Sequence, residues 1–375
     1  MSSDRPPEPF RYDAEVRPGE KRHVLYEVGE SYLGDAIELP VTVINGSRAG
    51  PRAFVSAAMH GDEVNGVKVV QEVADRYDPQ DLAGTIVCLH VVNVPGYRAH
   101  MRYLPIYDRD LNRSFPGSDR GNEAQRIAKV IYDRFVSNCE FGVDFHTSTR
   151  NKVTIFHTRA DMSDPAVAEV ANGFLSAVVL DGVGSKGMLR RVASEDGIPT
   201  ITVEMGEAKR YQPLMVERAL EHLHNLFASF GMVDDEFESE PPWQRVVGPK
   251  EKTWIRSNAG GWVDMEWGPY PIIDEGDAVC TISDHFKREE HVVEAPFTGL
   301  VVGMAANPIT VPGQIVAHLV AVDEDDRPVI EDVIDREGYA ALGTYHWMGR
   351  QTAPGATRRT TTRKTDATAA GERNE

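Results

Sequence analysis

The run Phe54-Val55-Ser56-Ala57-Ala58-Met59 stops abruptly at His60-Gly61-Asp62-Glu63. A short apolar run with polar chemistry at its C-terminal end reads as a buried strand that delivers side chains to the rim of an α/β sheet, where such folds place their ligands. His60 and Glu63 are therefore candidate metal ligands. Asp144-Phe145-His146, after the apolar lead-in Phe141-Gly142-Val143, offers a third, and Pro199-Thr200-Ile201-Thr202-Val203 also ends on an acid, Glu204. Two imidazole nitrogens and one carboxylate leave a fourth zinc position open for water, as in a hydrolytic rather than a structural site. A histidine and an acid three apart arise by chance in many chains, and alone describe a surface pair. The weight comes from three strand ends built alike.

At 375 residues the chain has room for two domains and a sizeable core. No eighteen-residue apolar run occurs, so no membrane span is expected. Met1-Ser2-Ser3-Asp4-Arg5-Pro6-Pro7 lacks the apolar core of a signal peptide, which predicts a cytoplasmic protein. Cys88, Cys139 and Cys280 are odd in number and far apart, against both a disulfide framework and a thiolate metal site. A net charge of -18, from 58 acids and 40 bases, argues against nucleic acid or an anionic membrane as partner and is compatible with adaptation to high salt. A chain this acidic would need local arginines to hold an anionic substrate. A homo-oligomer stays open.

Residues 1–20 are rich in proline and charge and read as a flexible arm. From 21 to 233, strand-like runs alternate with helical periodicity: apolar positions at 64, 67, 69, 70 and 73, a helix capped at Asn122, another over Pro165 to Val179, and a long one from Pro213 to Phe230. That alternation predicts an α/β fold with a mixed, mostly parallel sheet covered by helices on both faces. The stretch Asn93 to Gly117 lacks periodicity and is dense in Arg, Asp, Tyr and Pro, as functional loops are. Residues 234–243 read as a linker. Over 244–325 the grammar changes to short strands with Gly and Pro turns, and two similar segments, Trp262 to Val279 and Gly299 to Val316, suggest a small all-β sandwich or barrel of two halves. Residues 326–375 form an extension, expected to be disordered from about 349.

His60-Gly61-Asp62-Glu63, Asp110-Leu111-Asn112-Arg113-Ser114-Phe115-Pro116-Gly117, Asp144-Phe145-His146-Thr147 and Gly197-Ile198-Pro199 running into Val203-Glu204-Met205-Gly206 resemble the succinylglutamate desuccinylase/aspartoacylase family of zinc carboxypeptidase-like amidohydrolases. The resemblance spans roughly residues 45 to 325, since Trp254 to Gly261 and Ala295 to Gly299 are similar to the family's C-terminal β-domain, itself like a biotinyl/lipoyl hammerhead. It implies one zinc ion on His60, Glu63 and His146, with Glu204 as general base and then general acid. Asn112 and Arg113 resemble the pair that grips a substrate carboxylate. Arg102, with Arg109 nearby, resembles the arginine that stabilises the oxyanion, and Arg190 resembles a position that touches a second anionic group. Asp144, two residues before His146 on one strand face, either orients that ligand or makes a structural salt bridge.

These expectations add up to a deacylase acting on a small N-acyl amino acid or related compound, with a carboxypeptidase for short peptides as the alternative. A hammerhead-type binding or carrier module is the non-enzyme alternative. Carrier attachment needs a lysine at a tight hairpin tip, and Lys287, in the charged run His285-Phe286-Lys287-Arg288, carries no such turn signal. A GxSxG elbow is absent, and Gly182-Val183-Gly184 lacks the third glycine of a dinucleotide fingerprint. His90, inside an apolar run, reads as a core or rim residue, and His100, His157, His222 and His224 have no partner motif.

Overall fold

The computed structural model of the protein describes residues 7–105, 107–241, 243–265 and 272–337. Its first part runs β1 (Phe10–Arg11), β2 (Glu15–Val16), β3 (Glu20–Glu30), β4 (Ala36–Asn45), β5 (Arg48–Ala57), α1 (Asn65–Arg76), β6 (Ala83–Leu89), α2 (Val94–Arg98), α3 (Glu123–Arg134), β7 (Phe141–Ser148), β8 (Lys152–Ala160), α4 (Pro165–Phe174), β9 (Val178–Asp181), α5 (Leu189–Glu195), β10 (Thr200–Glu207) and α6 (Pro213–Ser229). The remainder is β11 (Arg245–Val247), β12 (Lys252–Arg256), β13 (Gly261–Met265), β14 (Ile272–Ile273), β15 (Ala278–Ser283), β16 (Glu290–Glu294), β17 (Gly299–Ala305), β18 (Ile309–Thr310), β19 (Ile315–Ala321) and α7 (Asp326–Glu337).

Local chemistry sets the helix ends. Asn122 opens α3 with a reciprocal capping box: its side chain accepts from the Gln125 amide at 3.1 Å, and the Gln125 side chain accepts from the Asn122 amide at 3.1 Å. Asp164 caps α4 with Pro165 at the first helical position, and Leu175, at φ 57°, ends it. The helix expected to reach Val179 therefore stops a turn early, because Val178 and Val179 are needed in β9, where they pair with β8 and β11. Within the loop 93–117, Asn93 caps the short α2 by accepting from the Gly96 amide at 2.9 Å.

One large sheet dominates, with strand order β12-β19-β17-β8-β10-β7-β5-β6-β4-β3, and with β9, β11 and β14 paired off that path. Its centre, β6-β5-β7-β10, is parallel, as are β8 with β9 and β9 with β11. The remaining pairings of this sheet are antiparallel. The sheet is thus mixed rather than mostly parallel: β3 returns directly into β4, and β7 turns into β8 through residues 149–151, without helical crossovers. The two halves expected in the C-terminal region each form an antiparallel pair, β13 with β15 and β17 with β19, but they enter different sheets. β17 also pairs with β8, which joins the C-terminal strands to the main sheet. The second sheet, β16-β15-β13-β18, is open, and no barrel closes among the described residues.

The main core packs α1, α3, α4 and α6 against the central strands, with Phe54, Phe141, Phe145, Phe174 and Phe227 fully buried. Phe10 and Val16, in the segment read as an arm, are buried in the same core. Trp243, at the end of the segment read as a linker, packs into a separate cluster with Val247 and Ile330. Lys287 does lie at a hairpin tip, in the 284–289 connection between β15 and β16, with a left-handed φ of 51°. The segment from 349 lies outside the described residues. No helix among the described residues is long and apolar enough to cross a membrane.

Candidate active site

β5, β7 and β10 are neighbours with Ala57 paired to Phe145 and His146 paired to Glu204, so their C-terminal ends form one rim. Buried Ala58 takes a left-handed φ of 52°, and this sharp exit turns the chain from β5 into the His60–Glu63 segment. Gly61 is needed there: a Cβ would stand 2.0 Å from the Gly96 carbonyl carbon and 2.1 Å from the Tyr97 nitrogen.

His60, Glu63 and His146 converge, all at 4% exposure or less. The two Nδ1 atoms are 3.2 Å apart, His60 Nδ1 is 2.9 Å from Glu63 Oε1, and His146 Nδ1 is 3.0 Å from Glu63 Oε2. Asp144 Oδ2 sits 2.7 Å from His146 Nε2, and Ser56, its register partner on β5, donates to Asp144 Oδ1 at 2.7 Å. Asp144 thus accepts from His146 Nε2, which turns Nδ1 of that ring toward the centre. The Thr147 amide at 3.0 Å and Arg102 at 2.6 Å donate to Glu63 Oε2 and Oε1.

Burial by itself would raise the Glu63 carboxyl, but the facing imidazoles of His60 and His146 outweigh it and hold it well below the usual range. His146 is the converse: burial lowers it, while Asp144 and Glu63 together raise it well above an ordinary histidine. Three ligand atoms within 4.8 Å of one another, two nitrogens and an oxygen, suit zinc. His60 Nε2 adds to that fit, since it is buried without a hydrogen-bond partner and has Asp110 Oδ1 at 3.4 Å. A His60 that ligates through Nδ1 carries its proton on Nε2, toward that carboxylate.

The other expected residues are placed as follows. Glu204, on the same sheet face as His146, is held by Arg159 Nε at 3.0 Å. Arg102 joins the cluster through Glu63. Asn112 is buried and its side-chain oxygen accepts from the Leu189 amide at 2.9 Å, fixing the start of α5 to the loop. Arg113 is partly exposed, donates to the Asn112 carbonyl at 2.6 Å and stands 3.8 Å from Asp110. Arg190 has no carboxylate within ion-pair distance among the described residues; it is 7% exposed and donates to the Gly182 carbonyl at 2.8 Å. Sequence reasoning missed Ser56, Thr147 and Arg159. Arg159 was signalled only by a basic residue ending the run Val153 to Thr158, the same grammar with the charge reversed.

Residues 49–230 match the model of the succinylglutamate desuccinylase/aspartoacylase catalytic domain. The chain is 22% identical over 257 residues to the N-alpha-acetyl-L-2,4-diaminobutyric acid deacetylase of Halomonas elongata, across 66% of this chain and 75% of that one. A probable aspartoacylase of Parasynechococcus marenigrum is 29% identical over 104 residues, 26% of this chain and 33% of that one. The product-bound ectoine utilization protein EutE (DoeB) of Ruegeria pomeroyi superposes with a TM-score of 0.72 at 22% identity, over 86% of this chain and 98% of that one. The succinylglutamate desuccinylase/aspartoacylase of Rhodobacter sphaeroides gives 0.72 at 20% identity, over 84% and 100%. Residues 49–230 thus form a catalytic domain of the succinylglutamate desuccinylase/aspartoacylase family.

Proposed function

We propose that the protein is a zinc-dependent amidohydrolase that cleaves a small N-acyl amino acid or related N-acylated compound into a carboxylate and an amine. The observation that carries this reading is the buried convergence of His60, Glu63 and His146, with Glu204 in register beside His146. The residues fit zinc, which His60 Nδ1, Glu63 and His146 Nδ1 would hold. A zinc ion supplies Lewis acidity, which polarises an amide carbonyl and acidifies water.

The chain's own residues do the rest. Glu204 takes a proton from the attacking water and returns it to the leaving amine. Arg159 holds that carboxylate in place through its 3.0 Å contact. Asp144 fixes the tautomer and tilt of His146. Arg102 keeps guanidinium donors beyond the one spent on Glu63 and can face the developing oxyanion. Asn112 and Arg113, bound to each other through the Asn112 carbonyl, present a carboxylate clamp at the loop.

A panel of N-acetyl, N-succinyl and N-formyl amino acids assayed beside short peptides tests this reading: turnover confined to peptides would replace it with a carboxypeptidase. Lys287 at a hairpin tip keeps a carrier role as the non-enzyme alternative, and an intact mass equal to that of the bare sequence removes it.

A further inference from the structure

β3 is the last strand of the main sheet and pairs on one side only, with β4. In an antiparallel ladder each residue sends its N–H and C=O to one side of the strand, and the next residue sends them to the other. The Pro40 carbonyl accepts from the His90 amide, so Pro40 faces β6, and Leu25, its register partner on β3, does not bond to β4. The amides and carbonyls of Lys21, His23, Leu25 and Glu27 therefore point out of the sheet edge. Among the described residues no backbone group meets them.

An open edge is a template for another strand, and proteins usually blunt it with a bulge or a proline. Here the run from Lys21 to Glu27 is regular, and the bulge comes only after it, between Glu27 and Gly29. Apolar side chains are exposed along the same hairpin: Leu25 at 65%, and Tyr32 and Leu33, in the turn to β4, at 82% and 88%. The charges are ordered along the edge. Lys21 and Arg22 stand at its start and Glu27 and Glu30 toward its end. Glu20, the acid at that start, is occupied by the Arg17 amide at 3.0 Å and Arg22 at 3.7 Å. Neither Glu27 nor Glu30 has a cation within ion-pair distance among the described residues. A second copy of this strand, run antiparallel, lays the basic end of each on the acidic end of the other.

We propose that β3 is the interface of a twofold dimer, in which it pairs antiparallel with β3 of a second copy, centred on Val24. That register leaves none of the four outward residues unpaired: Lys21 lies opposite the partner's Glu27, and His23 opposite the partner's Leu25. The main sheet then runs on through both chains, and Tyr32 and Leu33 reach past the N-terminal end of the partner's β3. Lys21 donates to the Ala74 carbonyl at 2.8 Å and keeps a further donor for the facing glutamate. β4 and β6 separate β3 from β5, so the interface lies away from the candidate active site and is independent of the hydrolase reading.

Sedimentation equilibrium of the full chain, at low and high salt, is expected to give the mass of two chains. Glu27→Lys sets lysine against lysine twice across the axis and should weaken the dimer by about tenfold or more, as should Lys21→Glu. An equimolar mixture of the two variants should regain the association of the wild type, because each chain then faces opposite charge. Leu25→Pro removes an outward amide without touching the ladder to β4 and should give single chains with an unchanged circular dichroism spectrum. Val24→Cys should form an intermolecular disulfide on oxidation: facing residues of this kind have Cα atoms about 4.5 Å apart, and the three native cysteines are buried. A single-chain mass at every concentration would overturn the proposal and leave the edge to a foreign strand. A dimer indifferent to Glu27→Lys and Leu25→Pro, or a mixture that fails to recover, would overturn it as well.

Discussion

Glu204 and His146 are register partners on the adjacent parallel strands β10 and β7. In-register residues on neighbouring strands leave the same face of the sheet. The sheet itself therefore sets a carboxylate beside the buried His60–Glu63–His146 cluster, and Arg159 on β8 holds it from the other side.

Glu204→Gln removes the proton acceptor and keeps the shape. On the proposed mechanism kcat falls by about a hundredfold to ten-thousandfold, with zinc content and melting temperature nearly unchanged. Retention of wild-type kcat in steady-state assays would reduce Glu204 to a structural partner of Arg159.

Asp144 is fully buried between Ser56 and His146. Asp144→Asn can no longer take the His146 Nε2 proton as a carboxylate, and zinc affinity should drop by about tenfold to a hundredfold. Competition with a chromophoric chelator measures this; an unchanged affinity would return Asp144 to a plain salt bridge.

Much of this site was legible in the sequence because a buried strand that stops at polar residues has few uses other than a rim. Phe54 to Met59 and Phe141 to Val143 announced β5 and β7, and the distance between His60 and His146 follows from their adjacency. The role of Arg159 was not legible: the base after Val153 to Thr158 can be seen in the sequence, but it reaches Glu204 across an antiparallel pairing that no local spacing marks. The overestimate of parallel pairing has the same root. Strand–helix alternation reports crossovers, whereas β3–β4 and the C-terminal strands pair without helices between them.

Gly61→Ala places a methyl group into the Gly96–Tyr97 backbone. Relief requires moving either the His60 segment or α2, and overpacking of this kind costs about 1–3 kcal/mol. A lowered melting temperature together with weakened zinc binding is expected; a wild-type melt would mean the turn relaxes freely.

His318 is buried and stacked on Trp254 with ring centroids 3.9 Å apart. Burial, then Arg159, Lys252 and Lys152, lower its pKa to about 3. Unfolding restores the ordinary value near 6.5, so the unfolded chain binds the extra proton. The stability linked to His318 is complete above that value and is lost as pH falls toward the folded one, by about 1.4 kcal/mol per pH unit in between. Urea melts of wild type and His318→Gln between pH 6.5 and 4.5 should show a shallower decline for the variant. Parallel curves would contradict this.

The most direct measurement is metal content by mass spectrometry on the purified chain and on His146→Gln, paired with hydrolysis of N-acyl amino acids before and after chelation. One zinc per chain, lost in the variant, with activity that disappears on chelation and returns with zinc, is the result expected. A chain that binds no zinc, or whose hydrolysis is indifferent to chelation and to His146→Gln, would contradict it.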